Sequence, residues 1–329
     1  MPDDFTWVDA ERTIRFGSGV VGEAGQLLAG HGFEGYALLT TERARAAAPA
    51  IAAGAGVELR VPPGGVPEAA AAVRDGVGGR PLVALGGGRV IDAAKAIAGA
   101  DGLGCAAIPT TLSGAELTRI HRMPAGVEEF TLVRPRLVVA DPQLMASQPL
   151  PALAASAMNA LAHALEALYV PLRNPLADAA ALEAAQLIGS GLRAPEPDRG
   201  RLALGSLLGA YALGATGLAV HHVVCQTLVR VAGTPHADTN AVMLPHSLDL
   251  MGRRVPDAIA RFRSRLGADA RELGFRAGVP GTLAELGVRE EHSGGVVDAA
   301  LARPQLANTP DPPGRDELLA YVRAALSPR

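Results

Sequence analysis

The strongest constraint on the fold is an apolar run that leads through three glycines into a helix-forming segment. Pro81-Leu-Val-Ala-Leu85 has the continuous apolar character of a strand buried in a parallel sheet. Gly86-Gly-Gly88 follows, and residues 89–98 contain neither glycine nor proline. This order lets backbone N–H groups at a helix N-terminus approach a phosphate, because no Cβ stands in the way. An ordinary strand-to-helix turn has the same pattern.

Lys95 lies in the helix that follows these glycines. It is the only lysine among the 30 basic residues of the chain. Since every other basic position is arginine, we infer a specific role for the compact ammonium of Lys95, such as reaching a phosphate of a cofactor. Asp92 lies three residues earlier on the same helical face and could position it.

Short apolar runs alternate with helix-like segments through the first half of the chain. Such alternation is typical of a doubly wound parallel sheet, in which ligands bind outside the carboxyl ends of the strands. From about residue 151 the strand-like alternation disappears, and the sequence is helical in pattern and rich in alanine and leucine. We therefore predict an α/β Rossmann-like dinucleotide-binding domain over residues 1–147 and an all-α substrate domain over 148–329. The predicted strands span residues 13–16, 36–41, 57–61, 82–85 and 104–108.

Polar residues follow two of the predicted strands. Thr40, Thr41 and Arg43 come after the second strand, and no acid ends that strand directly. An acid there would favour a ribose 2′-hydroxyl over a 2′-phosphate, although Glu42 is close enough to weaken this inference. Pro109-Thr-Thr-Leu-Ser113 follows the fifth strand, and its hydroxyls suit a pyrophosphate as well as an ordinary polar loop.

Charge and cysteine content narrow the class of protein. A net charge of −3 offers no basic surface for nucleic acid, so we expect no such partner. The two cysteines, Cys105 and Cys225, are far apart in apolar surroundings, which indicates a reduced, cytoplasmic protein. We see neither a secretory signal nor a long uncharged apolar run, so we expect no membrane partner.

Several of the eight histidines lie in the second half at spacings that could bring them together. Asn159 and His163 are four residues apart, so they share one face of a helix. His222 and Gln226 have the same spacing on a later apolar helix, and His236 follows. A single histidine in an apolar helix is usually a satisfied core residue, whereas three from different helices would form a cluster of metal-site type.

These residues resemble the iron-containing alcohol dehydrogenase superfamily, and within it the maleylacetate reductase branch. The resemblance extends over nearly the whole chain, and the double histidine with Asn159 is typical of the branch. The motifs that carry it are Gly86–Lys95, Ile108–Thr118, Asp141-Pro142, Met158–Glu166, Asn174–Asp178, His221–Cys225 and Pro235–His246.

The resemblance implies an NADH- or NADPH-dependent homodimer with a cleft between its two domains. By position it places Gly86, Gly87, Gly88 and Arg89 on the pyrophosphate and Thr110, Thr111 and Leu112 beside the adenosine and diphosphate. Thr40, Asp92 and Lys95 complete the cofactor-binding residues that we predict.

The resemblance also bears on the metal. Metal-dependent members use an aspartate and three histidines at the positions of Asn159, His163, His222 and His236. The reductase branch carries asparagine at the first position and works without a metal, reducing maleylacetate to 3-oxoadipate in aromatic-compound breakdown. We therefore predict an oxidoreductase in which these four residues are catalytic and no metal is bound. The predicted substrate-binding residues are Arg119, His121, Arg122 and Gln226.

Two alternatives stay open. The first is a metal-dependent alcohol or polyol dehydrogenase with zinc or iron at the three histidines. The second is a remodelled nucleotide-binding member whose redox chemistry is lost or changed. Gln226, which replaces a histidine usual in the superfamily, motivates the second, together with two segments that are shorter than in relatives: residues 119–134 and the region after His246. Asn240 and Arg89 are further departures, in place of a histidine and a serine.

We expect NADPH to bind at least as tightly as NADH. Arg43 and Arg89 offer cations, and one charge-assisted hydrogen bond to a 2′-phosphate contributes about 1.5–3 kcal/mol. Titration of the purified protein with each nucleotide, followed by nucleotide fluorescence, measures both dissociation constants. A strong preference for NADH would show that Glu42 or another acid faces the ribose.

Overall fold

The computed structural model describes residues 4–327. The chain divides into two compact units, Met1–Ser147 and Gln148–Arg329. The first unit contains a mainly parallel sheet flanked by helices, and the second contains helices without a strand among its described residues. The predicted fold class, a Rossmann-like domain followed by an all-α region, is confirmed.

Seven strands form the sheet of the first unit. They are β1 (Phe5–Asp9), β2 (Arg12–Phe16), β3 (Ala37–Thr40), β4 (Val57–Arg60), β5 (Leu82–Gly86), β6 (Cys105–Pro109) and β7 (Leu137–Ala140). Their order across the sheet is β1-β2-β7-β6-β5-β3-β4. β1 is antiparallel to β2, and every other neighbouring pair is parallel. The carboxyl ends of β3, β5 and β6 therefore meet at one edge, where the glycine turn lies.

Two of these strands were not predicted from the sequence. β1 is an edge strand in which half-buried and exposed residues alternate, so it lacks a continuous apolar signal. β7 is a buried run of only four residues that follows a long segment without a helix. Yet β7 lies between β2 and β6, near the centre of the sheet, and pairs Leu137 with Ala106.

Six helices accompany the sheet. They are α1 (Ala24–Gly30), α2 (Glu42–Ala47), α3 (Pro49–Ala53), α4 (Val66–Val77), α5 (Gly88–Asp101) and α6 (Pro142–Met145), with a 3₁₀ turn at Val20–Glu23. Two apolar clusters hold these helices to the sheet. One packs α4 and α5 beside β5, and the other packs α1 and α3 beside β3.

Nine helices form the described part of the second unit. They are α7 (Leu150–Ala167), α8 (Pro175–Arg193), α9 (Arg199–Thr216), α10 (Val220–Ala232), α11 (His236–Gly252), α12 (Pro256–Leu266), α13 (Ala270–Arg276), α14 (Glu290–Leu301) and α15 (Arg315–Ala324). Every residue of α7 from Leu153 to Ala167 is buried, and the helix packs against α8, α9 and α11. α7 therefore carries Asn159 and His163 in the interior of the unit.

No single helix between residues 4 and 327 has the length and apolar character to cross a membrane. α9 and α10 pass that test only as a pair, by length and composition, and they are bent by 101° to each other.

Glycines allow α9 to approach α7 closely. A Cβ at Gly209 would lie 2.8 Å from the carbonyl oxygen of Ala160, which is backbone and cannot turn aside. We expect Gly209→Ala to lower the free energy of unfolding by about 1–3 kcal/mol, as overpacking commonly does. Urea denaturation measures the change.

Gly294 in α14 is the matched control, because nothing lies within 4 Å of the position that an alanine methyl group would occupy there. Gly294→Ala should raise the free energy of unfolding by about 0.5–1 kcal/mol through helix propensity. Equal responses of the two variants would contradict the close α7–α9 contact.

Candidate active site

The glycine turn joins β5 to α5. Gly86 ends the strand, Gly87 is the N-cap and Gly88 begins the helix. A Cβ on Gly86 would lie 2.7 Å from the Cβ of Val90, and one on Gly87 would lie 2.9 Å from the Cγ2 of Thr111. No side chain caps α5, so N–H groups of its first turn are available to an anion. The turn fits the pyrophosphate of a dinucleotide in shape and polarity.

The loop after β6 packs directly on this turn. The amide of Thr110 donates to the carbonyl oxygen of Gly86 at 2.9 Å, and Thr111 is half-buried against Gly87. The side chains of Leu112 and of Thr40, at the end of β3, are fully buried. Among the predicted cofactor residues Thr40, Thr110, Thr111 and Leu112, Thr111 therefore has the accessible side chain.

Arg43 lies between the ends of β3 and β6. It donates to the carbonyl oxygen and Oγ1 of Thr110 at 3.2 and 3.3 Å, and to the Oγ of Ser147 at 3.1 Å. Glu42, the acid that weakened the inference of a 2′-phosphate, is exposed and pairs with Arg60 at 3.1 Å.

Lys95 is placed differently from the predicted phosphate contact. Its side chain is 0% exposed, and Nζ donates to the carbonyl oxygens of Ala115, Ile120 and Thr118 at 2.8, 2.9 and 3.2 Å. Asp92 pairs with it at 2.8 Å, in the position that helical spacing predicted. Because an ammonium has three hydrogens, the three carbonyl oxygens use all of them. Lys95 thus holds the loop after β6 from inside the protein.

Glu116 is a buried acid beside Lys95 that sequence analysis did not single out. It is 0% exposed, and its carboxylate oxygens have no hydrogen-bond partner in another described residue. Burial raises the pKa of Glu116 to about 7, against the opposing influence of its own backbone N–H and of Lys95. Its ionisation therefore destabilises the fold progressively between the usual carboxyl pKa of about 4.5 and about 7, and the loss no longer grows at higher pH.

The charged residues predicted to bind cofactor or substrate differ in how accessible their side chains are. Arg89, Arg119 and Arg122 are exposed. His121 is buried, its Nε2 accepts from the amide of Val133 at 3.1 Å, and its Nδ1 donates to the carbonyl oxygen of Arg122 at 3.3 Å. Burial also lowers the pKa of His121 to about 4. Both ring nitrogens hold the loop, which differs from the predicted contact of His121 with substrate.

In the second unit, α7 and α10 bring three of the predicted catalytic residues together. The rings of His163 and His222 stack with centroids 4.9 Å apart, and Asn159 Nδ2 lies 3.5 Å from the Nε2 of His163. Glu166, one turn after His163, accepts from the Nδ1 of His222 at 2.7 Å and from its amide at 3.3 Å. His222 Nε2, His163 Nδ1 and Asn159 Oδ1 have no hydrogen-bond partner among residues 4–327. Such buried, unused polar atoms are what a ligand would satisfy.

His236 begins α11 and interacts electrostatically with both His163 and His222, so the four predicted residues form one cluster. Loss of water around the rings lowers the pKa of His163 well below its usual value and that of His222 to about 3. The rings of His163 and His222 are therefore uncharged at neutral pH. Gln226, the predicted substrate residue of this unit, is half-buried one turn beyond His222.

The four predicted catalytic residues differ from the ligands of a metal site in several respects. No group of three or more His, Cys, Asp or Glu side chains in the described chain is arranged to hold a metal ion. Asn159 supplies no negative charge. Asn240 Nδ2 lies 3.3 Å from the Nε2 of His236, which must accept from it. Of the three imidazoles, His222 alone has a free Nε2 among described atoms, and Glu166 lies behind that ring.

Sequence profiles place the chain in a family. The profile of the Fe-containing alcohol dehydrogenase family, C-terminal, matches residues 153–326, and an iron-containing alcohol dehydrogenase profile matches residues 15–149. The chain belongs to the iron-containing alcohol dehydrogenase family. This confirms the resemblance drawn from its motifs.

Relatives within the family indicate the kind of reaction that this chain catalyses. Maleylacetate reductase 1 of Rhodococcus opacus is 37% identical over 238 residues, which is 68% of this chain and 67% of that protein. Maleylacetate reductase of Pseudomonas knackmussii is 38% identical over 259 residues, 74% of this chain and 73% of that one. The crystal structure of maleylacetate reductase from Agrobacterium tumefaciens is 28% identical and superposes with a TM-score of 0.83 over 99% of both chains. This family member is an NAD(P)-dependent oxidoreductase that resembles maleylacetate reductase and acts on a small molecule.

The pairing of Glu166 with His222 was not predicted. A partial signal was available, because Glu166 lies three residues after His163 and so shares its face of α7. Its partner comes from α10, and no spacing in the sequence identifies that contact.

Replacing Lys95 with methionine should lower the free energy of unfolding by about 2–4 kcal/mol, because three loop carbonyls and Asp92 lose a charged partner. Hydrogen exchange in residues 115–120 should speed up in parallel. Lys95→Arg should not restore stability, since a planar guanidinium cannot occupy the same enclosed position.

Arg74→Met serves as the control, because the Arg74–Asp101 pair is partly exposed. We expect it to change the free energy of unfolding by about 0–1 kcal/mol. Denaturant titration measures the free energy of unfolding of both variants. A Lys95→Met variant as stable as Arg74→Met would contradict the loop-holding role.

Proposed function

We propose that this enzyme reduces maleylacetate, or a similar small carboxylate-bearing substrate with an activated C=C or C=O bond, with NADH or NADPH. The observation that carries the proposal is the uncharged cluster of Asn159, His163 and His222, backed by Glu166, with three buried polar atoms unused. Maleylacetate reductases that are 37% and 38% identical to the chain support the choice of substrate. In this role the enzyme acts in the breakdown of aromatic compounds.

A bound reduced nicotinamide supplies the hydride. The negative charge that develops on the substrate then needs a hydrogen-bond donor or a proton. Because Nδ1 of His222 donates to Glu166, Nε2 can give a proton to the substrate only when the ring is an imidazolium. The Glu166 carboxylate and an anionic substrate both favour the imidazolium form, which burial by itself disfavours. His163 offers its unused Nδ1 as a second contact.

The predicted cofactor residues divide between direct and supporting roles in this proposal. Gly86, Gly87, Gly88 and Arg89 hold the pyrophosphate at the start of α5, with Thr110 and Thr111 beside them. Asp92, Lys95, Leu112 and Thr40 act from the interior, by fixing the strand ends and the loop. Arg119, Arg122 and Gln226 are the candidates to bind the substrate, and His121 supports the loop that carries the two arginines.

We also propose that the reaction proceeds without a metal. The neutral amide at Asn159 and the engaged Nε2 of His236 support this, since a bound Fe²⁺ or Zn²⁺ needs converging, preferably anionic ligands. The metal-dependent alcohol dehydrogenase is the second candidate, with zinc or iron at His163, His222 and His236. The observation that favours it is the Glu166–His222 pair, because carboxylates commonly orient metal-binding imidazoles from behind.

Further proposals concern location and assembly. We propose a homodimer that works in the cytoplasm and has neither a nucleic acid nor a membrane partner. The net charge of −3 supports the first of these absences. The two buried, unpaired cysteines, Cys105 and Cys225, suit a reducing compartment.

The decisive measurement uses protein purified without a histidine tag. We expect maleylacetate-dependent oxidation of NADPH or NADH that survives exhaustive chelation, with metal content far below one equivalent. Near-stoichiometric iron or zinc, with activity lost on chelation and restored by metal, would establish the second candidate. Tight nucleotide binding without turnover of any activated alkene or carbonyl would instead indicate a remodelled member.

A pair of variants tests the residue assignment within that assay. His222→Asn should lower kcat by about 10²–10⁴, the usual range for a general acid, with little change in nucleotide affinity. His31→Asn is the control, because that ring lies at the end of α1, where its Nδ1 donates to the carbonyl oxygen of Leu27. Equal kcat values in the two variants would remove His222 from the mechanism.

A further inference from the structure

A continuous chain of hydrogen bonds runs through the interior of the second unit and ends on His236. The hydroxyl of Tyr321 lies 2.5 Å from the Oγ of Ser247, which lies 2.6 Å from the Nδ1 of His221. The Nε2 of His221 lies 2.9 Å from the Oδ1 of Asn240, whose Nδ2 lies 3.3 Å from the Nε2 of His236. Tyr321 is 5% exposed and the next three residues are 0% exposed, so water does not compete for these contacts.

One backbone group fixes the orientation of the amide in this chain. The carbonyl oxygen of His236 lies 2.7 Å from the amide group of Asn240. A carbonyl oxygen only accepts, so the Asn240 atom that faces it must be the nitrogen, and the amide oxygen must face His221. The Nε2 of His221 therefore carries a hydrogen and donates it to Asn240.

The remaining hydrogens follow from this assignment. A neutral His221 with its hydrogen on Nε2 must accept at Nδ1, where the Oγ of Ser247 lies within hydrogen-bond distance. Ser247 has one hydrogen, which goes to Nδ1 at 2.6 Å in preference to the Met243 carbonyl oxygen at 3.0 Å. Tyr321 then donates to Ser247. Every contact in the chain has one donor and one acceptor, all directed towards His236.

At the end of the chain, the Asn240 nitrogen has hydrogens and no lone pair to offer. The Nε2 of His236 can only accept from it, so the hydrogen of a neutral His236 ring must be on Nδ1. His236 is exposed at the start of α11, which leaves it accessible to a ligand.

We propose that Tyr321, Ser247, His221 and Asn240 form a positioning relay that holds His236 with its hydrogen on Nδ1, so that His236 presents a fixed hydrogen-bond donor to the substrate. Its use in catalysis rests on the proposed function. Asn240 is the deciding member, because its amide oxygen accepts from His221 while its amide nitrogen donates to His236. A carboxylate at this position would accept from both rings and reverse the tautomer of His236.

The first test is made on the unmodified enzyme. Labelling the eight histidines with ¹⁵N and recording two-bond ¹⁵N–¹H correlations reads the tautomer of each ring. The His236 signals are assigned by their loss in His236→Gln. We expect a protonated Nδ1 and an unprotonated Nε2 for His236, and the opposite for His221. A His236 ring protonated on Nε2, or exchanging between both forms, overturns the relay.

The second test reverses the relay through Asn240→Asp. We expect the hydrogen of His236 to move to Nε2, and kcat to fall by about tenfold or more while KM changes less, since a general acid or donor contributes about 10²–10⁴. Asn308→Asp is the matched control, because Asn308 Nδ2 donates to the carbonyl oxygen of Leu218. That variant should leave the His236 tautomer and kcat unchanged. An unchanged tautomer in Asn240→Asp overturns the relay.

The two proposals fail separately. If the enzyme does not turn over maleylacetate but His236 carries its hydrogen on Nδ1, the relay stands and the proposed substrate falls. If turnover is observed and His236 carries its hydrogen on Nε2, the proposed function stands and the relay falls. The spectrum of the unmodified enzyme decides this point even if Asn240→Asp does not fold.

Discussion

The ammonium of Lys95 fixes the part of the first unit on which its ligand-binding edge depends. It gathers the carbonyl oxygens of Ala115, Thr118 and Ile120 around one buried charge, next to Asp92. Buried carbonyl groups need donors, and this loop obtains them from a side chain of α5 instead of from a strand or helix of its own. The same helix begins at the glycine turn. One element therefore sets both the proposed phosphate-binding N-terminus and the loop packed against it.

Local signals predicted the frame of this arrangement, and long-range contacts decided its details. The glycine turn was readable because strand, glycines and helix are consecutive in sequence. The role of Lys95 was not, because its carbonyl acceptors lie 20–25 residues away on an irregular loop. β7 escaped prediction for a related reason: four buried residues carry little signal, and their central place depends on pairing with β2 and β6. Pro245 is a helix breaker by propensity, yet it lies inside α11, where tertiary packing overrides that propensity.

In the histidine cluster, too, local sequence signals predicted some of the residues and long-range contacts decided the rest. Helical spacing put Asn159 and His163 on one face, and the resemblance to the iron-containing alcohol dehydrogenases added His222 and His236. The partners that determine what these rings can do come from elsewhere. Glu166 of α7 pairs with His222 of α10, Ser247 of α11 bonds His221, and Tyr321 of α15 bonds Ser247. Burial then sets the charge of the cluster. Burial disfavours the charged form of His222 even beside Glu166, so a substrate anion would add a charge that favours the imidazolium.

The enclosure of Lys95 has a consequence for the chemistry of the whole molecule. No other side-chain amine exists in the sequence, and this one is 0% exposed. Reagents that acylate lysines therefore find no side-chain target on the folded surface, and an endoprotease that cuts after lysine has one site, inside α5. Acylation or cleavage at that site requires the helix and its loop to separate. The single lysine is thus a built-in reporter of opening at the proposed nucleotide-binding edge, readable by mass spectrometry without any engineered label.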